Sequence, residues 1–190
     1  MRHAVARPDF TIFENGNGRR LVDYAIGTMN NLGYQVPYGD TGSWQCWNSE
    51  MICLDLFAFA TGCPAATWAA NLKREIKNTF ETHAFYRQDH GRRPDHFNGV
   101  RTWPLEPQYA ATWPDEIRPP LQRLFDKISF REAMDPDAAY LLLDGLGNGG
   151  HKHLDANAVL QITRFGRIWL ADNDYFKAQV KYHNSMMVFR

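Results

Sequence analysis

The sequence predicts an α+β protein, with helices first and an antiparallel sheet second. Three observations carry that expectation. Helix-spaced apolar residues lie upstream of Tyr86, period-two runs follow Pro120, and the strand–helix alternation of a parallel sheet is missing.

The first helix is expected from Arg19 to Asn31 or Leu32, with Leu21, Tyr24, Ala25, Thr28 and Leu32 on one stripe and Gly33 as the stop. The loop GYQVPYGDTGSW follows, where Tyr34, Tyr38, Asp40, Trp44 and Trp47 either offer aromatic faces to a sugar or pack between helix ends. Asn48 or Ser49 caps a second helix through Met51 to Thr61, apolar on nearly every side and hence central. Asp55 within it is costly to bury alone, so it bonds a neighbouring helix end or faces a site. Gly62, Cys63 and Pro64 break the chain. A third helix is expected from Ala65 to Tyr86, with Trp68, Leu72, Ile76, Phe80 and His83 inward and Lys73, Arg74, Glu75 and Lys77 toward water. The three read as adjacent antiparallel helices of a bundle or toroid.

Residues 87–120 read as irregular, interrupted by prolines at 94, 104, 107, 114, 119 and 120. Arg87, His90, Arg92, Arg93 and His96 suit a polyanionic glycan through guanidinium pairs to carboxylate or sulfate. The plainer reading is a solvated connection, with Arg92 and Arg93 as its exceptions. Beyond Pro120, Asp126 to Arg131 alternates with Ile128 and Phe130 inward, Asp135-Pro136-Asp137 turns the chain, and Ala139 to Leu143 suits a strand buried on both faces. Ala158 to Thr163 and Arg167 to Ala171 form a hairpin about Phe165-Gly166, placing Thr163 opposite Ile168 and Val159 opposite Asp172. HNSMMVF adds a further strand, giving at least five. The expected division is a helical segment over 1–103, a linker over 104–120 and a sheet domain over 121–190.

At 190 residues and 44% apolar, the chain can bury one or two small cores. With 21 basic and 21 acidic residues it has no long-range field to attract nucleic acid or membrane. No apolar run approaches the ~20 residues of a bilayer span, and MRHAVARPDF lacks a signal-peptide core. Cys46, Cys53 and Cys63 are an odd set without CxxC spacing, with Cys53 expected as a small buried side chain.

Most chemistry sits in GGHKHLDANAVLQITRFGRIWLADNDY, residues 149–175, and the YHNSMMV that follows. In a straight hairpin His153 would fall six residues beyond Val159, about 20 Å away at ~3.4 Å per residue. The segment from Gly150 to Asp155 must therefore curl back, helped by Gly145, Gly147, Gly149 and Gly150. His153, Asp172 and His183 then make a two-histidine, one-carboxylate set suited to zinc with one position open. Their alternative is a polar loop rim.

HKHLDANAVLQITRFGRIWLADNDY with YHNSMMV resembles the heparinase II/III-like region of polysaccharide lyases, where an HxHxD segment, a glycine-bearing hairpin ending in Asp and a later HN recur in this order. PYGDTG is similar to a PxxGD-type loop at the end of a toroid helix in some of these proteins. The resemblance is close over residues 140–190. It implies an (α/α) toroid before a β-sandwich, in a longer protein of which this chain is a fragment, periplasmic or secreted when a signal is carried. It also implies zinc on His153, Asp172 and His183, shaping the site, with His151 as the catalytic candidate. The activity implied is β-elimination on an acidic, uronate-containing polysaccharide. Tyr38 is the candidate tyrosine from its place in the PYGDTG loop, with Tyr34 and Tyr109 behind it. Arg92, Arg93, Trp44 and Lys152 make up the expected substrate-binding set. The Asn-His pair typical of the toroid is not recognisable, so the alternative is a noncatalytic, zinc-stabilised module that binds acidic glycans or packs on a helical domain.

Overall fold

The computed structural model describes residues 11–37, 48–77, 91–105, 120, 122, 124–145, 157–172 and 183–185, and these are mixed α+β. They divide between a helical unit, from 11–35, 48–77 and 91–97, and a sheet unit, from 36–37 and 98 onward.

In the helical unit, α1 is the single turn Thr11–Glu14 and α2 is Asn17–Gly27. Gly16 enters α2 at φ 82, and Asn15 Oδ1 accepts the Asn17 N–H at 2.9 Å. The helix stops short of the expected Asn31 or Leu32. Thr28 directs both its N–H and its hydroxyl to the Tyr24 carbonyl, and Asn30 Oδ1 accepts the N–H groups of Leu32 and Tyr34, which turns the chain. Gly33, at φ 88, belongs to this later turn, where a Cβ would collide with Leu72 and Ile76. The buried face is Gly18, Val22 and Ile26; Leu21, expected inward, is 51% exposed.

Helix α3 is Asn48–Thr61 and α4 is Pro64–Lys77. Gly62 separates them at φ 70 with its N–H on the Ala58 carbonyl, and Pro64 opens α4 where its missing N–H costs nothing. The buried face of α4 is Ala65, Ala66, Ala69 and Ala70, while Trp68, Leu72 and Ile76 are only half-buried. Lys73 and Arg74, expected toward water, are buried instead. Lys73 Nζ meets Glu50 at 3.0 Å, and the Arg74 guanidinium makes two contacts with the Asp55 carboxylate of α3. That pairing is what allows Asp55 inside an otherwise apolar helix. Cys63 is buried and Cys53, expected buried, is half-buried; both are free thiols. No described helix is long and apolar enough to cross a membrane.

The sheet unit is a five-stranded antiparallel meander, spatial order following chain order: β1 Gly99–Pro104, β2 Phe125–Arg131, β3 Tyr140–Asp144, β4 Val159–Arg164 and β5 Arg167–Ala171. Strand β1 arises within the stretch read as irregular. Among the described part of HNSMMVF, Ser185 makes an isolated bridge to Ala158. Among the described residues, five strands are therefore reached with β1 as one of them. The Asp135–Asp137 turn is present, closed by the Ala138 N–H on the Asp135 carbonyl.

The faces of β2 are reversed from expectation, and β3, expected to be buried on both faces, is fully buried on one. Lys127, Ser129 and Arg131 of β2 are buried, whereas Ile128 is half-buried and Phe130 is 42% exposed. Cross-strand partners on the same side are Asp144, Leu142 and Tyr140 of β3, then Gln161 and Thr163 of β4, all buried. Val36, Tyr140, Leu142, Ala158 and Leu160 form the apolar part of this core. Lys127 Nζ sits 2.8 Å from Asp144 and 2.9 Å from Asp126. Burial works against its charge, but the two carboxylates outweigh burial and hold the ammonium above its ordinary value. Arg131 lies over the Tyr140 ring at 4.4 Å. Burial pushes the guanidinium down to about 10 and the phenol upward, each opposed by the other.

Candidate functional site

The hairpin is where alternation and turn chemistry place it, with Thr163 opposite Ile168. Phe165 and Gly166 both have positive φ, 54 and 64, as the two central residues of a tight hairpin turn require. Beyond Thr163 the register departs from expectation. Strand β5 carries one extra residue between Ile168 and Leu170, so Asp172 does not meet Val159; its N–H bonds the Leu160 carbonyl at 2.7 Å.

That bulge sets up the site. Asp172 is delivered at the end of β5 beside Leu160, and the Val159 N–H, one residue away, bonds the Asn184 carbonyl at 3.1 Å. The first two residues of β4 thus tether both the β5 end and the returning chain. His183 Nδ1 comes to 3.0 Å from Asp172 Oδ1, with side chains only 4% and 3% exposed. The outer atoms, His183 Nε2 and Asp172 Oδ2, are buried as well. Eleven residues separate the two in sequence.

The pair offers imidazole nitrogen and carboxylate oxygen out of water. Two donors that each sit ~2.0–2.2 Å from one tetrahedral zinc ion lie roughly 3.3–3.6 Å apart, so at 3.0 Å these two atoms would have to separate slightly to share a cation. The separation is that of a direct carboxylate–imidazole contact that orients the ring, as carboxylates commonly do for metal-binding histidines. Among the described residues, no group of three or more His, Cys, Asp or Glu side chains forms a metal-sized cluster. His153, the third expected ligand, lies outside the described residues, as do His151, Lys152, Tyr38 and Trp44.

Arg92 and Arg93 belong to the helical unit. Both are exposed, and with Pro64, Ala65, Pro94, Asp95 and His96 they line an open cavity of about 330 Å³. The Arg92 N–H bonds the Pro64 carbonyl at 3.0 Å, fixing this segment beside the start of α4. Arg93 is engaged with Asp95 at 3.0 Å in an exposed ion pair, which in water is worth ~0–1 kcal/mol and yields readily to another anion.

The sequence reading missed an aromatic and basic group at the hairpin turn. Phe165 and Trp169 are 60% and 62% exposed, beside Arg164 and Arg167. The signal was present, since a phenylalanine in a two-residue turn is unusual where glycine or asparagine is preferred.

Comparison with family models, with curated proteins and with solved structures finds no match to this chain.

Proposed function

We propose that this chain is part of a polysaccharide lyase of the heparinase II/III-like type, cleaving a uronate-containing acidic polysaccharide by β-elimination. The observation that carries the reading is the meeting of Asp172 and His183 at 3.0 Å out of water, two of the three residues that the motif resemblance assigns to zinc. The helices correspond on this reading to part of a toroid and the meander to one layer of a β-sandwich. The half-exposed face of Ile128, Leu141, Leu143 and Ile162, with Phe130 and Val100 more open still, suits a second covering layer.

Zinc would be held by His153, Asp172 and His183, and its charge would fix the imidazole and carboxylate orientations that shape the cleft. The chain's own groups then divide the reaction. His151 takes the proton from C5, which is acidified by the adjacent carboxylate. The electron pair left behind forms the C4–C5 double bond as the C4–oxygen bond breaks. Tyr38 gives its proton to the departing oxygen. Lys152 supplies positive charge to a uronate carboxylate and Trp44 offers a stacking face, while Arg92 and Arg93 hold uronate carboxylates at their own cavity on the helical unit.

The test is incubation with polyuronate and heparin-like substrates, following the ultraviolet absorbance of the unsaturated uronate end. His151→Ala should abolish product while leaving bound zinc unchanged; His183→Ala should lose zinc. Reducing ends formed without unsaturation would defeat the lyase reading in favour of hydrolysis. Full zinc retention by both the His153→Ala and His183→Ala variants would defeat the ligand assignment.

A further inference from the structure

The turn between β4 and β5 carries four exposed side chains that the reaction above does not use: Arg164, Phe165, Arg167 and Trp169. Three features hold them in place. Trp169 is the extra residue of the β5 bulge, lying between the paired positions Thr163↔Ile168 and Ile162↔Leu170, and a bulge re-aims the side chain it carries. Its indole Nε1–H donates to the Arg164 carbonyl at 2.8 Å, which locks the ring although 62% of the residue is exposed. The Arg164 guanidinium lies 4.7 Å from the Phe165 ring centre, stacked rather than free to wander.

The turn itself is pinned. The Phe165 N–H bonds the Asp137 carbonyl at 3.0 Å and the Gly166 N–H bonds the Pro136 carbonyl at 2.9 Å, so the tip is tied to the β2–β3 turn. Phe165 holds φ 54, a left-handed conformation that a bulky residue adopts at a cost. An aromatic ring kept at that position, exposed and stacked by a cation, is poorly explained by folding alone. Among the described residues, neither Arg164 nor Arg167 pairs with a carboxylate.

We propose that this tip is a binding platform for an acidic sugar chain, with the Trp169 indole against the apolar face of a pyranose ring and Arg164 and Arg167 meeting its carboxylate. The chemistry is complementary on both counts: a rigid aromatic face costs little entropy to engage, and guanidinium groups bind carboxylates through paired hydrogen bonds. The proposal rests on the acidic-glycan reading above. It adds a recognition site on the sheet unit, separate in composition from the Asp172–His183 pair and from the Arg92–Arg93 cavity.

The experiment is calorimetric titration of the full chain with a short polyuronate oligosaccharide and with the same oligosaccharide after carboxyl reduction. Trp169→Ala should weaken binding of both by about tenfold, with Trp169→Phe recovering part of the loss. The double variant Arg164→Gln/Arg167→Gln should weaken the polyuronate by about tenfold and leave the carboxyl-reduced ligand unchanged. All four side chains project outward, so far-UV circular dichroism and melting should not move; if Trp169→Ala does destabilise, the arginine pair gives an independent reading. Wild-type affinity in both variants overturns the platform and leaves the lyase reading standing. Wild-type chain that neither binds nor cleaves any polyuronate overturns both. A wild-type dimer that Trp169→Ala converts to monomer, by sedimentation, assigns the patch to self-association and overturns the sugar platform.

Discussion

Replacing one member of the Asp172–His183 pair should cost different amounts depending on which is removed. With side chains 3% and 4% exposed, neither group has ready access to water. His183→Leu takes the imidazole from a buried carboxylate that gives up its charge only by taking up a proton. Breaking a buried pair in this way costs about 3–5 kcal/mol, which for a chain of this size lowers the melting temperature by roughly 6–20 °C. Asp172→Leu leaves a ring nitrogen rather than a carboxylate without its partner, so the loss is nearer that of one unsatisfied hydrogen-bonding group, about 1–3 kcal/mol. The double substitution to leucine should recover most of the larger loss. The assay is thermal unfolding by circular dichroism with chelator present, so that metal linkage does not contribute. With zinc at about a hundred times its dissociation constant, wild type should gain about 2.7 kcal/mol and both single variants little. Two equal losses below about 1 kcal/mol would show that the pair behaves as a solvated surface contact, refuting the reasoning.

Arg74→Met should destabilise by about 3–5 kcal/mol in urea unfolding because Asp55 stays buried, and Asp55→Leu added to it should restore most of the loss. Ala69→Leu inserts bulk into the small-residue face of α4, where Ala69 is fully buried, and should cost about 1–3 kcal/mol by the same measurement. Asp144→Asn should cost about 1.5–3 kcal/mol at neutral pH. Lys127 has a raised folded value, so the folded state holds its proton more tightly. Its contribution is whole below the unfolded value near 10.5 and is lost as pH rises through the folded one. Stability of the wild type relative to Lys127→Met should therefore decline above about pH 10.5 and stay level between pH 7 and 10; a decline already complete by pH 9 would contradict this sign.

What the sequence made legible is what local chemistry controls. Phe165-Gly166 between two β-favouring runs defined the hairpin, and Gly62-Pro64 defined the break between α3 and α4. Asp172 and His183 were legible as partners through a chain that returns after the hairpin and through motif order, since no strand periodicity brings residues eleven apart together. The orientation of β2 was not legible. Alternation says that Ile128 and Phe130 share a face, but not which face is covered, and the ion pair of Lys127 with Asp144 is made across strands. Lys73 and Arg74 were assigned to water by their charge. Their partners, Glu50 and Asp55, lie 23 and 19 residues upstream, beyond any local rule. Strand β1 was not legible because its partners on β2 lie 21 residues away at Pro104↔Phe125 and 32 at Gly99↔Arg131, in a stretch interrupted by prolines.

Because each strand of the meander lies next to its predecessor in the chain, the sheet can assemble by successive zippering, with no strand waiting for a later one to fill a gap. Asp172 takes its place only after β5 has closed on β4, and His183 only after the chain has come back to Val159. The acid–imidazole contact is therefore the last event of that sequence and cannot seed it. A cation captured there would act as a latch on an already finished meander, slowing its opening far more than hastening its formation.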